Sequence, residues 1–135
     1  MIALDTNVLV RYLVADDIAQ AQTARALLGT LTTEKRGFVC REVSVELSWV
    51  LKRAYGFSRN QIADIFAELV ASEELQIEAP DDVIRAAEGY RRGGAEFSDR
   101  MIAAAARRSG ADGLHTFDRQ AAQLEGAVLM TAAEA

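Results

Sequence analysis

The sequence predicts an α/β protein: a three-layer α/β/α sandwich with a mostly parallel sheet of roughly five strands. Three observations predict it. Short apolar runs alternate with longer stretches of helical periodicity along the whole chain. Consecutive apolar runs are separated by helical stretches rather than by two-residue turns, so crossovers replace hairpins. The first run, Met1-Ile-Ala-Leu4, ends on Asp5 and a helical pattern begins at once, as at the carboxyl end of a buried parallel strand.

In order, Thr6 to Leu13 reads as a short helix, with Val10, Leu13 and Val14 apolar. Asp16-Asp17 start a longer one carrying Ala21, Ala24, Leu27, Leu28 and Leu31 on one stripe. Gly37 to Cys40 suits a second strand. From Arg41 a helix places Val43, Leu47, Val50, Leu51 and Ala54 on one face and ends at Tyr55-Gly56. Ser58 opens the next helix, with Ile62, Ile65, Phe66, Leu69 and Val70 at core spacing. Leu75 to Ala79 is a third strand, closed by Pro80, and Asp81-Asp82 are expected to cap the helix that follows. Arg92-Gly93-Gly94 reads as a loop. Ser98 is expected to cap an alanine-rich helix that stops at Gly110. Gly113 to Phe117 is the fourth strand, Asp118 opens a short helix through Leu124, and Ala127 to Met130 is the last strand. With no repeat or linker, residues 1–135 read as a single domain.

Composition narrows the chemistry. The net charge of −5 is wrong for a protein that wraps nucleic acid on a broad basic surface, so any such contact has to be local or bridged by metal. Cys40 and His115 are the single cysteine and histidine, which removes an internal disulfide and a Cys/His zinc set. His115 falls in a strand and reads as a half-buried strand residue rather than a catalytic base. The chain offers neither a basic-then-apolar leader nor an apolar stretch of ~20 residues, so the expected location is the cytoplasm, away from the membrane.

What remains is carboxylates. Asp5 and Asp118 each follow a strand, and parallel strands put their carboxyl ends on one edge, where α/β proteins bind ligands. Glu46 borders the apolar stripe of its helix, and Asp99 stands in the first turn of another. Each has an ordinary alternative: a helix cap, a solvated flank, a dipole partner. Together they would repel one another unless a cation neutralised them, and hard divalent ions, Mg²⁺ or Mn²⁺, suit oxygen ligands. Such a site most often handles phosphate. The residues alone therefore point to a metal-dependent phosphoryl-transfer or hydrolysis enzyme.

The same residues resemble a known family. Leu4-Asp5-Thr6-Asn7-Val8-Leu9-Val10-Arg11-Tyr12-Leu13 resembles the opening of PIN-domain ribonucleases of the VapC toxin type. Glu46-Leu-Ser-Trp-Val-Leu51, Phe97-Ser-Asp99 and Thr116-Phe-Asp118 resemble that family's second, third and fourth acidic motifs, in order and at matching spacing. The resemblance implies a PIN-like fold and an Mg²⁺- or Mn²⁺-dependent endoribonuclease, the toxin of a pair whose cognate antitoxin blocks it. It implies Asp5, Glu46, Asp99 and Asp118 as the catalytic, metal-holding acids, with Asn7 and Thr116 as supporting polar positions. Glu42, one turn from Glu46, is a rival for the second acid. Arg100 departs from the small residue common after the third aspartate; with Arg11 and Arg119 it is a candidate RNA contact.

On this reading a metal-activated water hydrolyses the phosphodiester in line and leaves a 5′-phosphate, so no histidine base and no 2′-hydroxyl nucleophile is needed. A homodimer is expected, because Trp49, Tyr55 and Phe57 give the stretch from Val45 to Phe57 more aromatic surface than one buried face uses. Trp49 reads as a core or interface anchor rather than a base-stacking platform. Two alternatives remain. A haloacid-dehalogenase-like phosphatase also begins with a strand ending in Asp, but it wants a second Asp where Asn7 stands and a lysine in a context that Lys35 and Lys52 lack. A catalytically silent PIN-like binding module would have lost acids that this chain keeps.

Overall fold

The computed structural model describes residues 1–133. Five short strands, β1 (Ile2–Ala3), β2 (Gly37–Val39), β3 (Leu75–Ile77), β4 (Leu114–Thr116) and β5 (Ala127–Leu129), alternate with six α-helices, as the periodicity predicts. Helices α1 (Thr6–Leu13) and α2 (Ile18–Gly29) connect β1 to β2. Helices α3 (Arg41–Arg53) and α4 (Arg59–Ala71) connect β2 to β3, and α5 (Pro80–Arg92) and α6 (Phe97–Ser109) connect β3 to β4.

All strand pairs are parallel, in an α/β sandwich. The single five-stranded sheet, however, resolves into a three-stranded sheet ordered β1-β2-β3 and a two-stranded sheet β4-β5. Strands of two or three residues sustain few ladder bonds, and that is the physical reason the pairing divides. The short helix expected after Asp118 is a three-residue 3₁₀ turn, Ala121–Gln123.

Leu4, Leu9, Leu47, Leu51, Ile62, Phe66, Val83, Tyr90 and Phe97 form the centre of the core. Phe66 and Phe97 stack with ring centroids 4.5 Å apart, which fixes the start of α6 against α4. The Arg59 guanidinium lies 4.3 Å from the centre of the Tyr90 ring and donates to the carbonyls of Tyr90 and Gly94. The 93–95 loop, and with it the first turn of α6, is thereby tied to α4.

Two helix starts differ from expectation. Asp81 and Asp82 occupy the first turn of α5 and do not cap it. The N-cap is Ala79, in the left-handed region at φ 53°, and Pro80 takes the first helical position, where its missing N–H costs nothing. At α6 the N-cap is Glu96 rather than Ser98. Glu96 is a weak cap by propensity, but Lys52 holds its carboxylate at 2.7 Å and Arg59 at 3.8 Å, so tertiary charge pairs decide the boundary.

Candidate active site

Asp5 follows β1 at the carboxyl edge of the three-stranded sheet and caps α1, its Oδ1 accepting the Thr6 N–H at 2.7 Å. Asp99 is the third residue of α6, and its Oδ2 accepts the Glu96 N–H at 3.2 Å. Asp118 Oδ1 accepts the N–H groups of Gln120 and Ala121 at 2.8 and 3.1 Å. Asp5 is thus a helix cap, Asp99 closes the capping box of α6 from its third position, and Asp118 accepts from the turn that follows it. Each uses one carboxylate oxygen, and among the described residues the second oxygen of each has no hydrogen-bond partner.

The structure brings Asp99 and Asp118 together. Burial, and after it the charges of Asp118 and Glu96, push the Asp99 carboxyl above the ordinary carboxylate range; its bond from the Glu96 N–H acts the other way without cancelling them. Thr116 supports this pair: its hydroxyl oxygen accepts the Asp118 N–H at 3.0 Å and fixes the chain's exit from β4. Glu46 is exposed on α3 and lines an open groove between α3 and α6 together with Glu42, Ser98 and Met101. The groove contains both glutamates and does not choose between them. Among the described residues no three His, Cys, Asp or Glu side chains lie close enough together to hold a metal ion. The four acids are therefore an Asp99–Asp118 pair, with Glu46 across a groove and Asp5 at the sheet edge.

Whether such a set fits a divalent cation depends on which one. Mg²⁺ keeps several waters and is commonly held through one or two carboxylates, so a pair of free oxygens on mutually repelling aspartates fits it. Soft or strongly chelated ions would need ligands that this edge does not assemble.

The remaining candidates divide. Asn7 is exposed and lines a groove between α1 and α2 with Val8, Thr23 and Leu27. Arg11 is already engaged at the surface: it donates to Gln20 at 2.6 Å, Asp16 at 3.2 Å and the Tyr55 hydroxyl at 3.2 Å. Arg100 is also turned inward, donating to the carbonyls of Ala95 and Gly93 at 3.2 and 2.8 Å. Gly89 makes the room, since a methyl group there would collide with the Arg100 guanidinium. Burial and the nearby charges of Arg59 and Arg92 lower the Arg100 pKa. Arg119 is exposed beside Asp118. His115 is exposed in β4 rather than half-buried.

Sequence reasoning missed two features here. Phe117 is 70% exposed directly beside Asp118, an aromatic face open to a ligand. The Thr6 hydroxyl, next to Asp5, is buried with no partner among the described residues. A large apolar residue at the last position of a strand signals the first only weakly, and nothing in the sequence signals the second.

The PIN domain family matches residues 2–127, nearly the whole chain. The chain belongs to the PIN domain family. No curated protein matches it. The PIN domain is a nuclease fold whose members are generally metal-dependent, which supports a hydrolase of nucleic acid in general terms and runs against the dehalogenase-like alternative. No helix among the described residues is long and apolar enough to cross a membrane.

Proposed function

We propose that this PIN domain is an Mg²⁺- or Mn²⁺-dependent endoribonuclease and the toxin of a toxin–antitoxin pair. The observation that carries the nuclease reading is the Asp99–Asp118 pair: two carboxylates, each with a free oxygen, one in the first turn of α6 and one just after β4, the first held above its ordinary pKa by burial and by the second. A bound cation relieves that repulsion and, when present, supplies polarised phosphoryl oxygens and an acidified water.

The chain's own residues do the rest. Asp99 and Asp118 would hold the ion through their free oxygens, with Glu46 and Asp5 completing the acidic edge. Thr116 positions Asp118, and the backbone N–H groups at both aspartates fix their orientation. Arg119 offers a positive charge to a phosphate at this edge, and Phe117 a face for a base. A silent binding module is the competing reading. A cleavage assay on structured and unstructured RNA across an Mg²⁺ and Mn²⁺ titration, with Asp99→Asn as control, decides between them. Metal-dependent cleavage that the control lacks supports the nuclease; RNA binding without cleavage supports the module.

The toxin reading supplies the partners: RNA, a cognate antitoxin and a second copy of the chain. Of the three aromatics behind the dimer expectation, Tyr55 and Phe57 pack against the core, and the Tyr55 hydroxyl donates to Asp16 at 2.8 Å. Trp49 is 60% exposed, and Ile102 of α6 stands beside it across the α3–α6 groove at 54%. The dimer face we propose is therefore Trp49 and Ile102. For the antitoxin we propose the groove between α1 and α2, lined by Asn7, Val8, Ala24 and Leu27.

A further inference from the structure

We infer that a cleft between α5 and α6, on the side of α6 away from the α3 groove, is the track along which the RNA backbone runs; this rests on the nuclease reading above. The cleft is about 520 Å³ and is lined by four arginines, Arg85, Arg92, Arg100 and Arg107. Three carboxylates also line it, and two of these are already matched. Asp82 is held by Arg108 at 2.6 and 2.8 Å and by Arg41 at 2.9 Å, and Glu88 pairs with Arg91 at 3.3 Å. Glu125 is the third.

Arg85, Arg92 and Arg107 are exposed and make no ion pair or side-chain hydrogen bond with the described residues. Arg100 is pinned to the 93–95 loop through Nε and one terminal nitrogen, and its other terminal nitrogen stays free. In a chain of net charge −5 this concentrates unmatched positive charge in one cleft, and guanidinium forks suit phosphate oxygens.

The placement favours RNA over an acidic peptide. Arg100 directly follows Asp99, and Arg107 lies two turns further along the same helix, ~12 Å from Asp99 at ~1.5 Å per residue. A strand whose scissile phosphate sits at Asp99 and Asp118 has neighbouring phosphates to neutralise, and α6 leads from that pair straight into the cleft.

The test is binding of a labelled unstructured RNA oligonucleotide by fluorescence anisotropy, in chelator to prevent cleavage, over a range of KCl concentrations. Wild type is compared with Arg92→Gln/Arg107→Gln and with a charge-matched control, Arg25→Gln/Lys35→Gln, which alters exposed residues outside the cleft. Losing two phosphate contacts should flatten the log K against log salt slope by about 1.4, roughly 0.7 for each contact on a single strand. The control slope should match wild type. Equal flattening in both variants, or in neither, overturns the cleft while leaving the nuclease reading in place. Wild type that neither binds nor cleaves RNA overturns both. If a polyglutamate peptide binds wild type and not the cleft variant, while RNA binds neither, the cleft docks protein and the RNA track is wrong.

Discussion

Burial, and then the negative charge of Asp118, hold the carboxyl of Asp99 above its ordinary range. An acid whose folded pKa is raised binds more protons folded than unfolded, so stability falls as pH rises through the window between the two values. At neutral pH Asp99 therefore costs stability that an uncharged residue of the same shape would not. Asp99→Asn should melt higher than wild type at pH 7 in chelator, and the difference should vanish below about pH 4, where the unfolded carboxyl also protonates. RNA cleavage by the same variant should drop by at least about a hundredfold, the upper range for losing support around a metal. Thermal melts across pH, paired with cleavage rates, check both halves. A variant that melts lower at pH 7 would refute the strained-pair account.

Asp82 makes the opposite prediction. It is buried, and Arg108, then Arg41, hold its carboxyl below the ordinary range despite the burial that opposes them. Arg41 also donates to the Met101 carbonyl at 2.9 Å, so this cluster joins the starts of α3 and α5 to α6, at Met101 and at Arg108 in its last turn. Asp82→Asn leaves two guanidiniums facing a neutral amide and should destabilise the fold by about 3 kcal/mol, the lower end for a broken buried pair because Arg108 is largely exposed. The wild-type contribution is complete above about pH 4 and lost as pH falls through the depressed value. Urea unfolding at pH 7 and pH 3 reads it: the gap between variant and wild type should narrow at the lower pH.

These two aspartates also show what the sequence could and could not disclose. Strand and helix positions follow from periodicity, and so do the acids at strand ends, because local pattern and parallel topology place them. The role of Asp82 was misread as a cap, since its partners Arg41 and Arg108 are distant in sequence and Ala79 takes a left-handed conformation that no propensity favours. Arg11 and Arg100 looked available for RNA because they neighbour acidic motifs, yet Tyr55 and the 93–95 loop claim them. The unmatched arginines at 85, 92 and 107 carry no signal in the sequence, being scattered along two helices that only packing brings together. Trp49 was legible in part: it lies two residues from both Leu47 and Leu51, on the far side of a 3.6-residue period from two fully buried leucines.

That outward tryptophan leads to the dimer prediction. Trp49→Ser should leave the monomer fold intact, as the side chain is 60% exposed. If Trp49 and Ile102 anchor the interface, the dimer dissociation constant should rise by roughly thirtyfold, corresponding to a hot-spot loss of about 2 kcal/mol. Light scattering over a concentration series follows it. Wild type that stays monomeric at high micromolar concentration would remove the dimer altogether.

The last prediction concerns restraint of the proposed activity. A cognate antitoxin can block this edge in two ways: by covering it with apolar contacts, or by placing a cation where metal would sit. Electrostatics favours the second. Asp99 and Asp118 already repel each other, and each keeps an oxygen free. An arginine from the partner would relieve the same repulsion as Mg²⁺ and use the same oxygens. The apolar part of the partner would lie in the α1–α2 groove beside Val8 and Leu27, one turn of α1 from Asp5. Competition for shared oxygens means that the inhibition constant rises in proportion to metal once the site is mostly loaded. Cleavage-inhibition titrations at several Mg²⁺ concentrations, with ionic strength held constant by KCl, measure that slope. Replacing the partner's arginine by glutamine should abolish the metal dependence while the groove contacts retain part of the affinity. An inhibition constant indifferent to Mg²⁺ would rule out occupation of the acidic pair and leave inhibition to the groove alone.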